Sequence, residues 1–252
     1  MSFPDSRISI DSNRIVEALG WTIVALSLAH LLLQSVKHLA GYGGVYGLVD
    51  LFDMGLEANL PTFFSGLQLL IGALGLAVVA RVRLAERAPY ALHWTALALL
   101  FLYLAADELS GLHELTIRPM RELFPSVTTG LLWWAWVIPG ALFAVGLAAA
   151  FAGFALRALP RPVRTRMIAG GVLFFSGAIG VEMPEARHAQ QFGTDNMTYA
   201  VYVLVEEFLE MTGVLLFLAG LFDYLRTSVG AVVVDVKHPV PVARARCRRL
   251  AA

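Results

Sequence analysis

The chain has 252 residues, 58% of them hydrophobic and only 15% charged, with a mean hydropathy of +0.69. That composition excludes an ordinary soluble domain and points to an integral membrane protein. Basic and acidic residues balance at 19 each, so no excess of positive charge suggests a nucleic-acid partner, and the single cysteine, Cys247, excludes an intrachain disulfide.

Apolar runs of about 20 residues, the length that crosses a bilayer, predict an all-α, polytopic bundle of six transmembrane helices near 16–36, 60–81, 91–114, 130–156, 166–186 and 198–225. Residues 1–13 are polar and read as a short cytoplasmic segment. Asp5, Asp11 and Glu17 interrupt the charged flank of the first run and no small-residue cleavage site follows it, so it reads as a retained helix rather than a signal peptide. Gly41 to Gly47, with Tyr42 and Tyr46, predict a turn or a short interfacial piece. Asn59-Leu60-Pro61 is a helix start, since Asn caps free amides and Pro is tolerated in a first turn. The third run leads into Asp107-Glu108-Leu109-Ser110-Gly111-Leu112-His113-Glu114, where a continued helix would put Asp107, Ser110, Gly111 and Glu114 on one face. Gly171, Ser176, Gly177 and Gly180 predict close packing of the fifth helix. The organisation expected is thus a transmembrane domain over 14–226 followed by a basic, disordered cytoplasmic tail over 227–252.

Orientation follows from the basic residues. With both termini cytoplasmic, every Lys and Arg except Lys37, Arg118, Arg121 and Arg187 lies on the inner side. Trp133, Trp134 and Trp136 then form an outer aromatic belt, with Tyr90 and Trp94 near the inner interface.

This topology brings the acids to one depth. Glu57 sits just above the second helix, Asp107 and Glu108 near the outer end of the third, Glu182 about a turn inside the fifth, and Glu206, Glu207 and Glu210 at the outer end of the sixth. Asp50, Asp53, His38 and His188 hang above them. Carboxylates crowded in a low dielectric must share protons, pair with bases or hold a cation. Each acid also has a plainer reading: a membrane that ends earlier leaves 107–114 and 206–210 as solvated helix ends, Glu57 suits a helix N-terminus, and Glu182 could pair with Arg187. His30 reads as a hydrogen-bonded interior histidine, and His93 as incidental.

Carboxylates with one or two imidazoles suit Zn, Mn or Fe. The expected metal ligands are Asp107, His113, Glu114, Glu182, Glu206, Glu210 and Glu57, with Glu108, Glu207 and Ser110 as catalytic candidates. The spacing departs from that of di-iron bundles, because Glu108 and His113 are five apart and Glu207-x2-Glu210 has a Glu where that pattern has a His.

The combination Asp53-x3-Glu57-x-Asn59-x-Pro61-Thr62-Phe63-Phe64-Ser65, Asp107-Glu108-x4-His113-Glu114 and Glu206-Glu207-x2-Glu210-Met211 resembles a group of bacterial six-helix membrane proteins without an assigned activity. More faintly, Glu57-x-Asn59, Ser65, Ser110 and His113 resemble the entry motifs of the alkaline ceramidase and adiponectin-receptor type of intramembrane hydrolase. That second likeness implies zinc and lipid-amide chemistry, although the last helix here carries Glu206-Glu207-x2-Glu210 in place of a His pair.

The expectation is a multi-pass protein of the bacterial inner membrane with a divalent metal held at its outer face, acting as a hydrolase on a lipid-like substrate. The alternatives are a cation- or proton-coupled transporter and a non-catalytic partner subunit; the oligomeric state is not legible.

Overall fold

The computed structural model describes residues 11–230, so most of the basic tail, with Cys247 and His238, lies outside the described residues. The described chain is helical, without strands. Helix α1 spans Ser12–Leu39 and starts where the Asp11 carboxylate accepts a hydrogen bond from the Asn13 amide at 3.0 Å. A turn at Val45–Gly47 leads into the short α2, Leu48–Phe52. Helix α3, Leu60–Ala85, begins at Asn59 as the sequence predicts: the Asn59 side chain accepts from the Thr62 amide and donates to the Asp50 and Asp53 carbonyls, tying α2 to the helix start.

Helix α4 runs over Ala91–Ser110, four residues shorter than expected at its outer end. Gly111 ends it in the left-handed conformation (φ 55°, ψ 39°), which Gly adopts without a Cβ penalty. Residues His113–Thr116 then form a separate 3₁₀ turn, followed by α5, Ile117–Leu123. Helix α6, Val137–Ala158, starts later than expected: Gly130 takes a positive φ, and 130–136 form a loop in which the Arg121 guanidinium donates to the Trp133 carbonyl. Helix α7, Arg161–Phe175, continues through a π-helical stretch, Ser176–Val181, into α8, Glu182–Phe192. Helix α9 spans Met197–Tyr224 and is capped by Asn196.

The α1, α3, α4 and α6 helices and the continuous 161–192 unit are each long and apolar enough to cross a membrane, which makes five candidate spans. Helix α9, 28 residues long and about 42 Å by helical rise, packs against α1, α3 and α7 in the middle of the bundle. It falls outside that group through its own charges, Glu206, Glu207, Glu210 and Asp223.

Glycines set how close the helices come. A Cβ on Gly213 of α9 would lie 2.6 Å from the Gly170 carbonyl of α7, and one on Gly177 would lie 2.7 Å from the Glu206 carbonyl. The close contact is therefore made by Gly170 and Gly177; Gly171 and Gly180, expected to share it, face open space. Trp94, expected near the inner interface, packs into the bundle at the start of α4. It is 1% exposed, with its ring 4.5 Å from Tyr224 and 5.1 Å from Phe154. At the same end, Arg83 binds the Tyr224 hydroxyl and the Ser228 carbonyl, and Asp223 receives both Arg166 and Arg226. Arg83, Arg166 and Arg226 thus gather at one end of the bundle, with Asp223, and Asp107, Glu108, Glu206, Glu207 and Glu210 line the cavity away from it.

Candidate functional site

A cavity of about 1060 Å³ opens within the acidic end of the bundle and continues downward between apolar walls. Of the expected metal ligands, Glu57, Asp107, His113, Glu114, Glu182, Glu206 and Glu210 all line it, as do Glu108 and Glu207. Ser110 does not: its hydroxyl turns back to the Ala106 carbonyl at 2.5 Å, and the side chain is exposed. Ser110 is the last residue of α4 and keeps its helical place, exposed, while the break at Gly111 folds His113 back over the site.

The best-defined element of the site is the pair Asp107 and His113. One Asp107 oxygen accepts from the His113 amide at 2.6 Å, and the other lies 3.0 Å from the imidazole Nδ1. Beside a carboxylate Nδ1 acts as the donor, so that in the neutral ring the lone pair is on Nε2, the arrangement in which a carboxylate orients an imidazole for metal binding or proton transfer. Burial opposes the charged ring, but the hydrogen bond and charge of Asp107, joined by Glu182 and Glu114, hold His113 above its ordinary value. Glu57 packs against Gly111, where a Cβ would collide with its carboxylate, so the missing side chain lets the loop before α3 reach this turn.

Trp136 connects the two halves of the site. Its ring centre is 4.5 Å from that of His113, and its Nε1 donates to Glu182 at 2.5 Å. Glu182 therefore pairs with an indole from the loop before α6 and not with Arg187, which is exposed. The π stretch at 176–181 ends at Glu182; such insertions re-aim the residues that follow and recur at functional sites. One turn on, Glu185 is 5% exposed and lies against Glu206 and the Tyr199 hydroxyl, yet its Oε2 has no hydrogen-bond partner. On α9, Glu206, Glu207 and Glu210 are half-buried, walled in by neighbouring helices and open to the cavity. Glu108 faces Ser65 on α3.

The rim is built differently. Lys37 at the end of α1 pairs with Asp195 at 2.7 Å, which holds that exposed carboxyl below its usual range. His30, 1% exposed, donates from Nε2 to the Ala200 carbonyl and accepts at Nδ1 from the Met54 amide, both at 3.0 Å. It is an interior tie between α1, the α2–α3 loop and α9. His188 binds the capping Asn196.

Among the described residues, no three His, Cys, Asp or Glu side chains converge on a single point as metal ligands would. The donors stand around the cavity instead. Sequence reasoning missed Glu185, Tyr199 and the inward role of Trp136. Glu185 was legible as the one-turn partner of Glu182, whereas the place of Trp136 depends on how the 130–136 loop folds.

The fold and the cavity define a helical, multi-pass membrane protein with an acid-lined interior site. Residues 18–225 match the family described as Domain of unknown function (DUF8692), and the chain belongs to that family. No curated protein and no solved structure matches it.

Proposed function

We propose that this protein is a metal-dependent hydrolase of a lipid-like substrate, embedded in the bacterial inner membrane as six helices with both termini cytoplasmic. The observation that carries the reading is the cavity itself: one continuous space joins a cluster of carboxylates and an oriented imidazole to an apolar groove at membrane depth. Burial of α9 among α1, α3 and α7 supports counting it as the sixth span, its carboxylates turned to the cavity and not to lipid.

In this reading His113, Glu182, Glu206 and Glu210, which stand apart around the cavity, would have to draw together to hold a divalent ion, Zn, Mn or Fe, while Asp107 orients His113. A bound ion would polarise a carbonyl or phosphoryl oxygen and supply hydroxide near neutral pH. Glu108 and Glu207, which line the same cavity, would move protons, Trp136 would hold Glu182 in place, and the apolar groove would keep the chain of the substrate away from water. Transport of a cation is less well supported. Inward of Glu210, α9 presents Phe217, Leu218 and Leu221, all buried, and the Tyr90, Trp94 and Phe154 rings close the inner end.

The test is hydrolysis in proteoliposomes of mixed bacterial lipids, followed by mass spectrometry of released acyl chains and head groups with Zn, Mn or Fe added and with a chelator. Products should appear only with metal and should be lost in Glu210→Gln, which still inserts. Ion uptake without any hydrolytic product would overturn the reading.

A further inference from the structure

We infer that the ligand of this cavity is an amphiphile with a protonated amine head, which enters sideways from the bilayer between α4 and α6. From the hydrolase reading the inference takes only that the occupant is lipid-like.

Charge selects the head. Among the described residues the charged lining is carboxylate except for Lys37, His38 and His113, and Lys37 is already bound to Asp195. A phosphate, sulfate or carboxylate head would face carboxylates with no free ammonium or guanidinium to receive it, whereas a cation is drawn in. A second observation points to a donor. Glu185 Oε2 and Gln34 Oε1 are both buried in the cavity wall without a hydrogen-bond partner, in residues only 5% and 3% exposed. A buried acceptor left unpaired is costly, and an ammonium supplies N–H donors and no acceptor. The Trp136 and Tyr199 rings beside these acids add faces on which a cation is favoured.

Helix packing selects the route. Helix α6 leans on α7, and its aromatic contacts with α4 are confined to the inner end, where Phe151 and Phe154 meet His93 and Trp94. Outward of that point, Leu99 and Tyr103 of α4 and Phe143 of α6 line the cavity and are 61%, 48% and 48% exposed. Wall side chains so widely exposed on two helices that scarcely touch there mark an opening, and at this depth it faces acyl chains. An alkyl tail can lie between α4 and α6 while its head reaches Glu185 and Glu206.

The experiment uses the protein in lipid nanodiscs, irradiated with diazirine-tagged dodecylamine or with the equally long diazirine-tagged dodecyl sulfate, and adducts are mapped by peptide mass spectrometry. The amine should label the cavity walls of α4 and α6 about tenfold more than the sulfate, and Glu185→Gln/Glu206→Gln should remove that preference. Leu99→Trp/Phe143→Trp, which leaves every acid in place, should suppress labelling by closing the gap, so the proposal stands or falls even if the acid variant does not fold. Equal labelling by the two probes, or labelling untouched by the tryptophans, would overturn the inference. Labelling requires no metal and no turnover: amine binding without hydrolysis would sink only the hydrolase reading, and hydrolysis of an acidic lipid without amine labelling would sink only this one.

Discussion

At the scale of single residues, two histidines of this chain do opposite work, and their partners say why. His30 spends both nitrogens on backbone groups of other elements, Met54 and Ala200. Replacing it by Ala leaves two buried backbone groups unpaired, which should lower stability by about 2–4 kcal/mol without changing what the cavity binds; a denaturation series in mild detergent checks this. His113 spends only Nδ1, on Asp107, and keeps Nε2 for the cavity. Because Asp107, Glu182 and Glu114 hold the His113 pKa above its unfolded value, its charge contributes stability below about pH 6.5, and that contribution fades as pH rises through the folded value. In chelator-treated protein, the advantage of the wild type over His113→Gln in melting temperature should be largest in mild acid and shrink toward alkaline pH. A difference that does not vary with pH would contradict the assignment.

At the scale of elements, the α7–α9 contact is the one most sensitive to a single methyl group. Gly213→Ala would press a Cβ against the Gly170 carbonyl and the Phe174 amide, both backbone atoms that cannot step aside. It should destabilise the protein by about 1–3 kcal/mol. Gly171→Ala, one residue from the contact and facing open space, should be neutral or raise stability by up to about 1 kcal/mol through helix propensity. Thermal unfolding of the two variants in detergent separates these outcomes. The same pair shows where the sequence was legible and where it was not. Hydropathy located every long helix, and the Asn59 and Asn196 caps are where such residues belong. Hydropathy could not decide which glycine of an adjacent pair faces a neighbour. It also could not see that Gly111 ends α4, so that a left-handed turn brings His113 back to Asp107 while Ser110, still helical, gives its hydroxyl to the Ala106 carbonyl. The grouping of acids was readable because membrane-spanning helices of similar length put matching ends at matching depths. Glu185 and Trp136 were missed because their roles depend on a π insertion and a loop, which have no periodic signature.

At the scale of the whole molecule, the bundle has a polarity: arginines at one end and an acid-lined cavity at the other. If the arginine end is cytoplasmic, Cys247, the only cysteine, should react with a membrane-impermeant maleimide in inside-out vesicles and not in spheroplasts. The cavity end carries the central claim that these acids hold a metal for hydrolysis. The most direct test is elemental mass spectrometry of protein purified in mild detergent, alongside Asp107→Asn/Glu210→Gln. The account predicts about one or two equivalents of Zn, Mn or Fe per chain, lost in the double variant while the protein stays monodisperse. Metal-free wild type after growth and purification with those ions present, or the same metal content in both proteins, would contradict it.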